Sequence, residues 1–138
     1  MLRNFYVRAL SCLLLAVISN SCTDHAMPSV LPEIETLAVT SAPSGIKCGT
    51  FFSANVISVG TMPVKKFGVV LTARGVNQVH PNPVVNVDYE VVLDLPFQPG
   101  IKGATGPQVC TNEIYYRAYA ILEDDTVVYG NELHFTNF

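Results

Sequence analysis

Residues 114–120, Ile-Tyr-Tyr-Arg-Ala-Tyr-Ala, alternate in a way that an extended strand can use and a helix cannot. Successive side chains of a strand point to opposite faces. Ile114, Tyr116, Ala118 and Ala120 therefore share one side, and Tyr115, Arg117 and Tyr119 share the other. Glu123-Asp124-Asp125-Thr126 follows and suits a tight turn, because Asp hydrogen-bonds its own backbone and tolerates turn dihedrals. Beyond it Val128 returns to the first face, with Val127 and Tyr129 on the second. The stretch predicts a β-hairpin with its acids at the exposed tip. Gly130 within the second strand predicts a bulge or a close backbone contact.

The same period of two governs what precedes the hairpin. From Thr36 onward no 3.6-residue apolar period is sustained, and Val, Thr, Tyr, Phe and Ile abound. Strands are predicted at 36–41, 46–58, 65–73, 113–122 and 126–135, with one or two more inside 84–97. Residues 74–83 read as a turn-rich loop, and the Gly- and Pro-rich segment 98–108 as a loop or long crossover. About seven short strands in roughly 100 residues predict an all-β fold, a seven-stranded immunoglobulin or fibronectin type III-like β-sandwich.

The N-terminus has a different character. Residues 1–8 carry Arg3 and Arg8 with no acid, and Ala-Leu-Ser-Cys-Leu-Leu-Leu-Ala-Val-Ile-Ser follows. That is the layout of a secretory signal, and it is too short to span a bilayer, which takes roughly 20 apolar residues. Ile-Ser-Asn-Ser-Cys at 18–22 resembles the lipobox of bacterial lipoproteins. The resemblance implies cleavage before Cys22 and lipidation of that cysteine; the plainer reading is an ordinary signal cut after Ser21. The chain then divides into a signal peptide (1–21), a lipidated N-terminus and tether (22–35) and a β-sandwich (36–138). Six basic residues against 11 acids remain after residue 21, a net charge of −5. That balance argues against nucleic acid and against adsorption on anionic lipid, so membrane attachment would come through acyl chains. Cys12 leaves with the signal, and Cys48 and Cys110 remain beside the lipidated residue. In an oxidising compartment a disulfide between them is the default expectation; two separate buried thiols are the other reading.

Tyr-Tyr-Arg-Ala-Tyr-Ala at 115–120 and Tyr-Gly-Asn-Glu-Leu-His-Phe-Thr at 129–136 closely resemble the C-terminal hairpin of fibronectin type III-like domains in surface and periplasmic lipoproteins of Bacteroidota. Gly68-Val69-Val70 matches a middle strand of the same domains. The resemblance implies an outer-membrane lipoprotein of the cell envelope, on its periplasmic or surface face. It also implies that Ile114 stands where such domains place a corner residue, leaving the corner hydrogen bond absent or supplied by Tyr115. Cys48 and Cys110 would then lie at one end of the sandwich, ahead of strands running the same way in opposite sheets.

Catalytic chemistry finds little to work with. Glu123-Asp124-Asp125 lacks the alternate oxygen spacing and glycine of a calcium loop. His25, His80 and His134 do not stand at zinc-ligand spacing. His80 and Asp88 could contribute to a triad, but no nucleophile elbow accompanies them. No enzymatic activity, cofactor or metal is expected. Tyr115, Arg117 and Tyr119 form the candidate binding face, because tyrosine presents rigid contact area and Arg stacks on rings; plain cross-strand packing is the competing reading. The function expected is a non-catalytic, lipid-anchored binding or spacer module that captures a glycan or a protein. The alternative is an accessory subunit of a larger envelope assembly, joined through an edge strand. The sequence leaves the oligomeric state open.

Overall fold

The computed structural model describes residues 28–41, 48–110 and 113–136. The signal segment, Cys22, His25 and the turn expected after Ser41 lie outside them. Every regular element among the described residues is a strand: β1 (Glu33–Thr36), β2 (Thr40–Ser41), β3 (Gly49–Ser58), β4 (Val64–Ala73), β5 (Tyr89–Val92), β6 (Gly100–Gln108), β7 (Ile114–Leu122) and β8 (Val127–Phe135). In one sheet β3 pairs with β1 and β2 along one side and with β6 along the other. The second sheet has the order β5-β4-β7-β8. All pairings are antiparallel. The two sheets form a β-sandwich with a core made by their facing sides.

The alternation read from the sequence sets which residues enter that core. Ile114, Tyr116, Ala118 and Ala120 of β7 pack there with Phe52, Ala54 and Val56 of β3 and Phe67, Val69 and Leu71 of β4. The chain has no Trp, and phenyl rings take the central volume: Phe52 meets Tyr116 edge-on at 5.5 Å, and Phe67 meets Phe97 edge-on at 5.0 Å.

Two expectations require correction, and a third is narrowed. Paired backbone begins at Glu33, inside the segment expected as tether, because Ile34 and Thr36 are buried against β3 and β8. Of the one or two strands expected within 84–97, one forms, β5, since 85–87 form a turn. The segment 98–108, expected as a loop or long crossover, contains β6, whose register with β3 pairs Phe51 with Thr105 and Phe52 with Ala104. Its glycines make room for its neighbour's rings: a Cβ at Gly103 would lie 2.5 Å from the Phe51 ring, and one at Gly106 would lie 2.5 Å from the Phe52 ring.

β1 and β8 meet where the sandwich would otherwise be open. The β7–β8 register shifts between Arg117 and Tyr119, and a Cβ on Gly130 would lie 2.7 Å from the Ile34 carbonyl oxygen. The predicted bulge and the predicted close contact thus coincide at one glycine. Thr36 closes the seam. Its Oγ1 accepts the Ala118 N–H (2.7 Å) and donates to the Asn131 carbonyl, while its own N–H donates to Asn131 Oδ1 (2.9 Å). Thr36→Val keeps the shape but orphans two backbone groups in a buried place. The expected loss is about 2–3 kcal/mol, read as a lowered urea midpoint, since each orphan costs roughly 1–3 kcal/mol. An unchanged midpoint would mean that water satisfies both groups.

Cys48 and Cys110 are bonded, with Cα atoms 5.0 Å apart. Cys48 leads into β3, and Cys110 lies two residues beyond the end of β6 and precedes β7. Both sit at one end of the sandwich, where the Val109 N–H donates to the Cys48 carbonyl (3.2 Å) and continues the β3–β6 ladder. The corner bond is supplied neither by Ile114 nor by Tyr115. Instead the Tyr116 hydroxyl accepts the Val39 N–H (3.1 Å), and so ties β7 to the connection between β1 and β2.

Candidate functional site

β7 does turn Tyr115, Arg117 and Tyr119 to the outer side of its sheet, but that side is not open. The β4–β5 connection, residues 74–88, folds back over it. The Arg117 Nε–H donates to the Pro83 carbonyl (2.8 Å), and the Arg117 guanidinium lies 3.7 Å from the Tyr129 ring centroid. The Val85 N–H donates to the Tyr129 hydroxyl (3.0 Å), and the Asn82 N–H bonds the Glu132 carboxylate. Under this cover Tyr119 is 0% exposed and packs with Val70, Val85 and Ile121. The row is thus an internal clasp over much of its length, and Tyr119 is removed from any ligand.

The electrostatics of the clasp follow from that burial. The Tyr119 hydroxyl (2.6 Å) and Lys66 Nζ (2.6 Å) converge on Glu90 Oε2, and the Asn86 N–H (2.9 Å) reaches Oε1. Burial alone would raise the Glu90 carboxyl, but these three donors outweigh it and hold the group below the usual carboxylate range. Burial first, and then the bond to Glu90, push the Tyr119 phenol far above its ordinary value.

His80 and Asp88 fasten the same connection. His80 Nδ1 lies 2.9 Å from the Pro81 carbonyl and Nε2 lies 3.1 Å from Asp88 Oδ1. Asp88 also accepts from Asn77 Nδ2 (2.9 Å) and the Val84 N–H (2.7 Å), and the Thr72 hydroxyl donates to the His80 carbonyl (2.7 Å). Both ring nitrogens face acceptors, which favours the imidazolium. The Pro81 bond first, with help from Asp88 and Glu132, raises His80 above its ordinary value. A raised value in the fold means stability that is fully present below the unfolded value of 6.5 and is lost as pH rises through the folded one. The stability difference between the native chain and His80→Gln should therefore shrink as the pH rises above the unfolded value in urea titrations. A difference that grows with pH would contradict this assignment.

The acidic triplet is a turn. The Leu122 N–H donates to the Thr126 carbonyl (2.9 Å), the Thr126 N–H donates to Asp124 Oδ1 (3.0 Å), and Asp125 takes a left-handed φ of 68°. Lys65 Nζ sits 2.6 Å from Asp125 Oδ1. Among the described residues no three His, Cys, Asp or Glu side chains group as metal ligands.

Two recesses lie at the two ends of the sandwich. Beside the disulfide, Tyr115 stacks on His134 with ring centroids 4.3 Å apart. The Tyr115 hydroxyl donates to Glu113 Oε1 (3.2 Å), which also lies 3.2 Å from His134 Nε2. At that end a recess of about 420 Å³ is lined by Val39, Thr40, Ser41, Thr50, Val109 and Phe135. The opposite end has a second cleft, also of about 420 Å³ and predominantly apolar, between the β3–β4 turn (Val59–Val64) and Leu95–Phe97. Neither cleft is legible from spacing, because each joins segments far apart in the chain. No family model, no curated protein and no solved structure matches this chain.

Proposed function

We propose that this protein is a lipid-anchored, non-catalytic module of the bacterial cell envelope, which binds a glycan or a protein or spaces another component there. In this reading Cys22 is lipidated and the body is a fibronectin type III-like sandwich resembling those of Bacteroidota lipoproteins. The strand order supports that kinship, provided that β1 and β2 count as one interrupted strand, since three strands then face four. The observation that carries the reading is the Cys48–Cys110 bond, which suits an exported protein. The chain enters at the end opposite the disulfide, which leaves the Tyr115–His134 stack and its neighbouring recess at the distal end.

The test is a screen of polysaccharides and envelope or matrix proteins with the native chain and with the Tyr115→Ala, His134→Ala double variant. Binding that drops at least tenfold in the double variant makes the stack a capture site. Binding that persists unchanged moves the site elsewhere. A second reading, a subunit of a larger assembly, draws on β6, a nine-residue strand paired on one side only among the described residues. Recovery of a stoichiometric envelope partner, lost on placing a proline within β6, would favour it.

A further inference from the structure

We infer that the end of the sandwich where the chain enters is a membrane-docking face, and that the surface it fits is a zwitterionic bilayer interface. The inference rests on the lipid-anchor reading of Cys22 and adds to it an orientation and a contact. Four apolar side chains stand exposed there: Val30 (55%), Leu31 (52%), Val59 (41%) and Leu95 (54%). They come from three segments, namely the entering chain, the β3–β4 turn and the connection after β5; Val59 and Leu95 line the apolar cleft, and the Val30 backbone is bonded to Thr61 on its rim. A cluster of this kind signals an interaction surface, whereas single exposed apolar residues do not.

The patch is held in place before it meets anything. The Thr61 N–H donates to the Val30 carbonyl (2.9 Å), and the Val30 N–H donates to Thr61 Oγ1 (2.9 Å), which pins the entering chain to the turn. The Glu123 N–H donates to the Pro63 carbonyl (3.1 Å) and fixes the far side of the same turn to the β7–β8 hairpin. The patch therefore needs little ordering on contact.

Chain length says what it meets. Val30 lies eight positions after Cys22, and a fully extended chain over those eight steps spans at most roughly 28 Å. An acylated Cys22 thus keeps this end close to the bilayer, while the disulfide end stands a strand length further out. Charge narrows the lipid. Asp94, Glu123, Asp124 and Asp125 are exposed at the same end, and Lys65 is already paired with Asp125. Anionic headgroups would be repelled, whereas zwitterionic ones offer ammonium groups to the acids.

Because the chain has no Trp, a single introduced indole reports without background. The chain from residue 22, which keeps every described element, carries Cys22→Ser and an N-terminal hexahistidine tag and is held on phosphatidylcholine vesicles by a chelating lipid. Leu95→Trp probes the proposed face, and Arg74→Trp probes the opposite end with the same side chain. In parallel the full chain, produced in a lipoprotein-exporting host, is analysed by mass spectrometry for acyl groups on Cys22. The inference expects an acylated Cys22 together with a blue-shifted Leu95→Trp indole. Shallow brominated lipid should quench that indole several-fold more than the Arg74→Trp indole, and anionic lipid should reduce the contrast. Equal quenching at the two positions, or none at Leu95→Trp, overturns the docking face even if Cys22 is acylated. An unacylated Cys22 overturns the anchor reading and with it the placement of this end at a bilayer.

Discussion

Removing the Cys48–Cys110 bond, by reductant or by Cys48→Ser with Cys110→Ser, should lower the stability of the fold by about 4 kcal/mol. The bond spans a sequence separation of 62 residues, so the oxidised unfolded chain is confined far more than the reduced one. Loop-closure entropy for a ring of that size gives the figure, and most of the effect acts on the unfolded state. The measurement is a pair of urea titrations at one pH, with and without reductant, analysed for midpoint and slope. Superimposed curves would show either that the bond does not form or that the unfolded chain is restrained by something else. The native backbone should change little, because the Val109–Cys48 hydrogen bond and the Gly49–Gln108 pairing still close that end of the ladder.

Phe52→Ala should cost about 3–5 kcal/mol, the range for deleting a fully enclosed aromatic side chain. Phe52 is completely buried, meets Tyr116 edge-on and fills the space left by Gly106 on the neighbouring strand. Collapse cannot close the hole easily, since the glycine brings no side chain and Tyr116 is tethered through its hydroxyl to Val39. Ile101→Ala on the outer, exposed side of β6 serves as the control and should fall within about 0.5 kcal/mol of the native chain. Equal losses for the two variants would disprove the central role assigned to Phe52.

The β7–β8 hairpin was legible because its inward positions are Ile, Tyr and Ala in strict alternation and its turn carries Asp at the required places. β6 was not, because the evidence for it lies on another strand. Its inward residues include Ala104 and Gly106, which give no apolar signal, and the ring that takes the room at Gly106 belongs to Phe52, as the ring beside Gly103 on the other face belongs to Phe51. The candidate site was legible in residue type and face but not in accessibility. Alternation correctly set Tyr115, Arg117 and Tyr119 on one side. Whether that side meets water depends on Pro83 and Val85, which return to it from about 30 residues earlier in the chain. The asparagines at 77, 82 and 86, with Asp88, were the available hint, since residues of this kind shape compact, self-bonded loops.

The disulfide and the course of the strands also fix how the protein would respond to mechanical load. β1 starts at the entry end and β8 finishes at the other, so tension between the two termini runs along the strands. The β1–β3 hydrogen bonds would be loaded together in shear instead of opening one after another. Once they fail, the bonded molecule cannot unravel through the 62-residue separation that Cys48 and Cys110 enclose, which withholds roughly 200 Å of contour. Oxidation would thereby limit how far the body can lengthen between an anchored terminus and a pulled one.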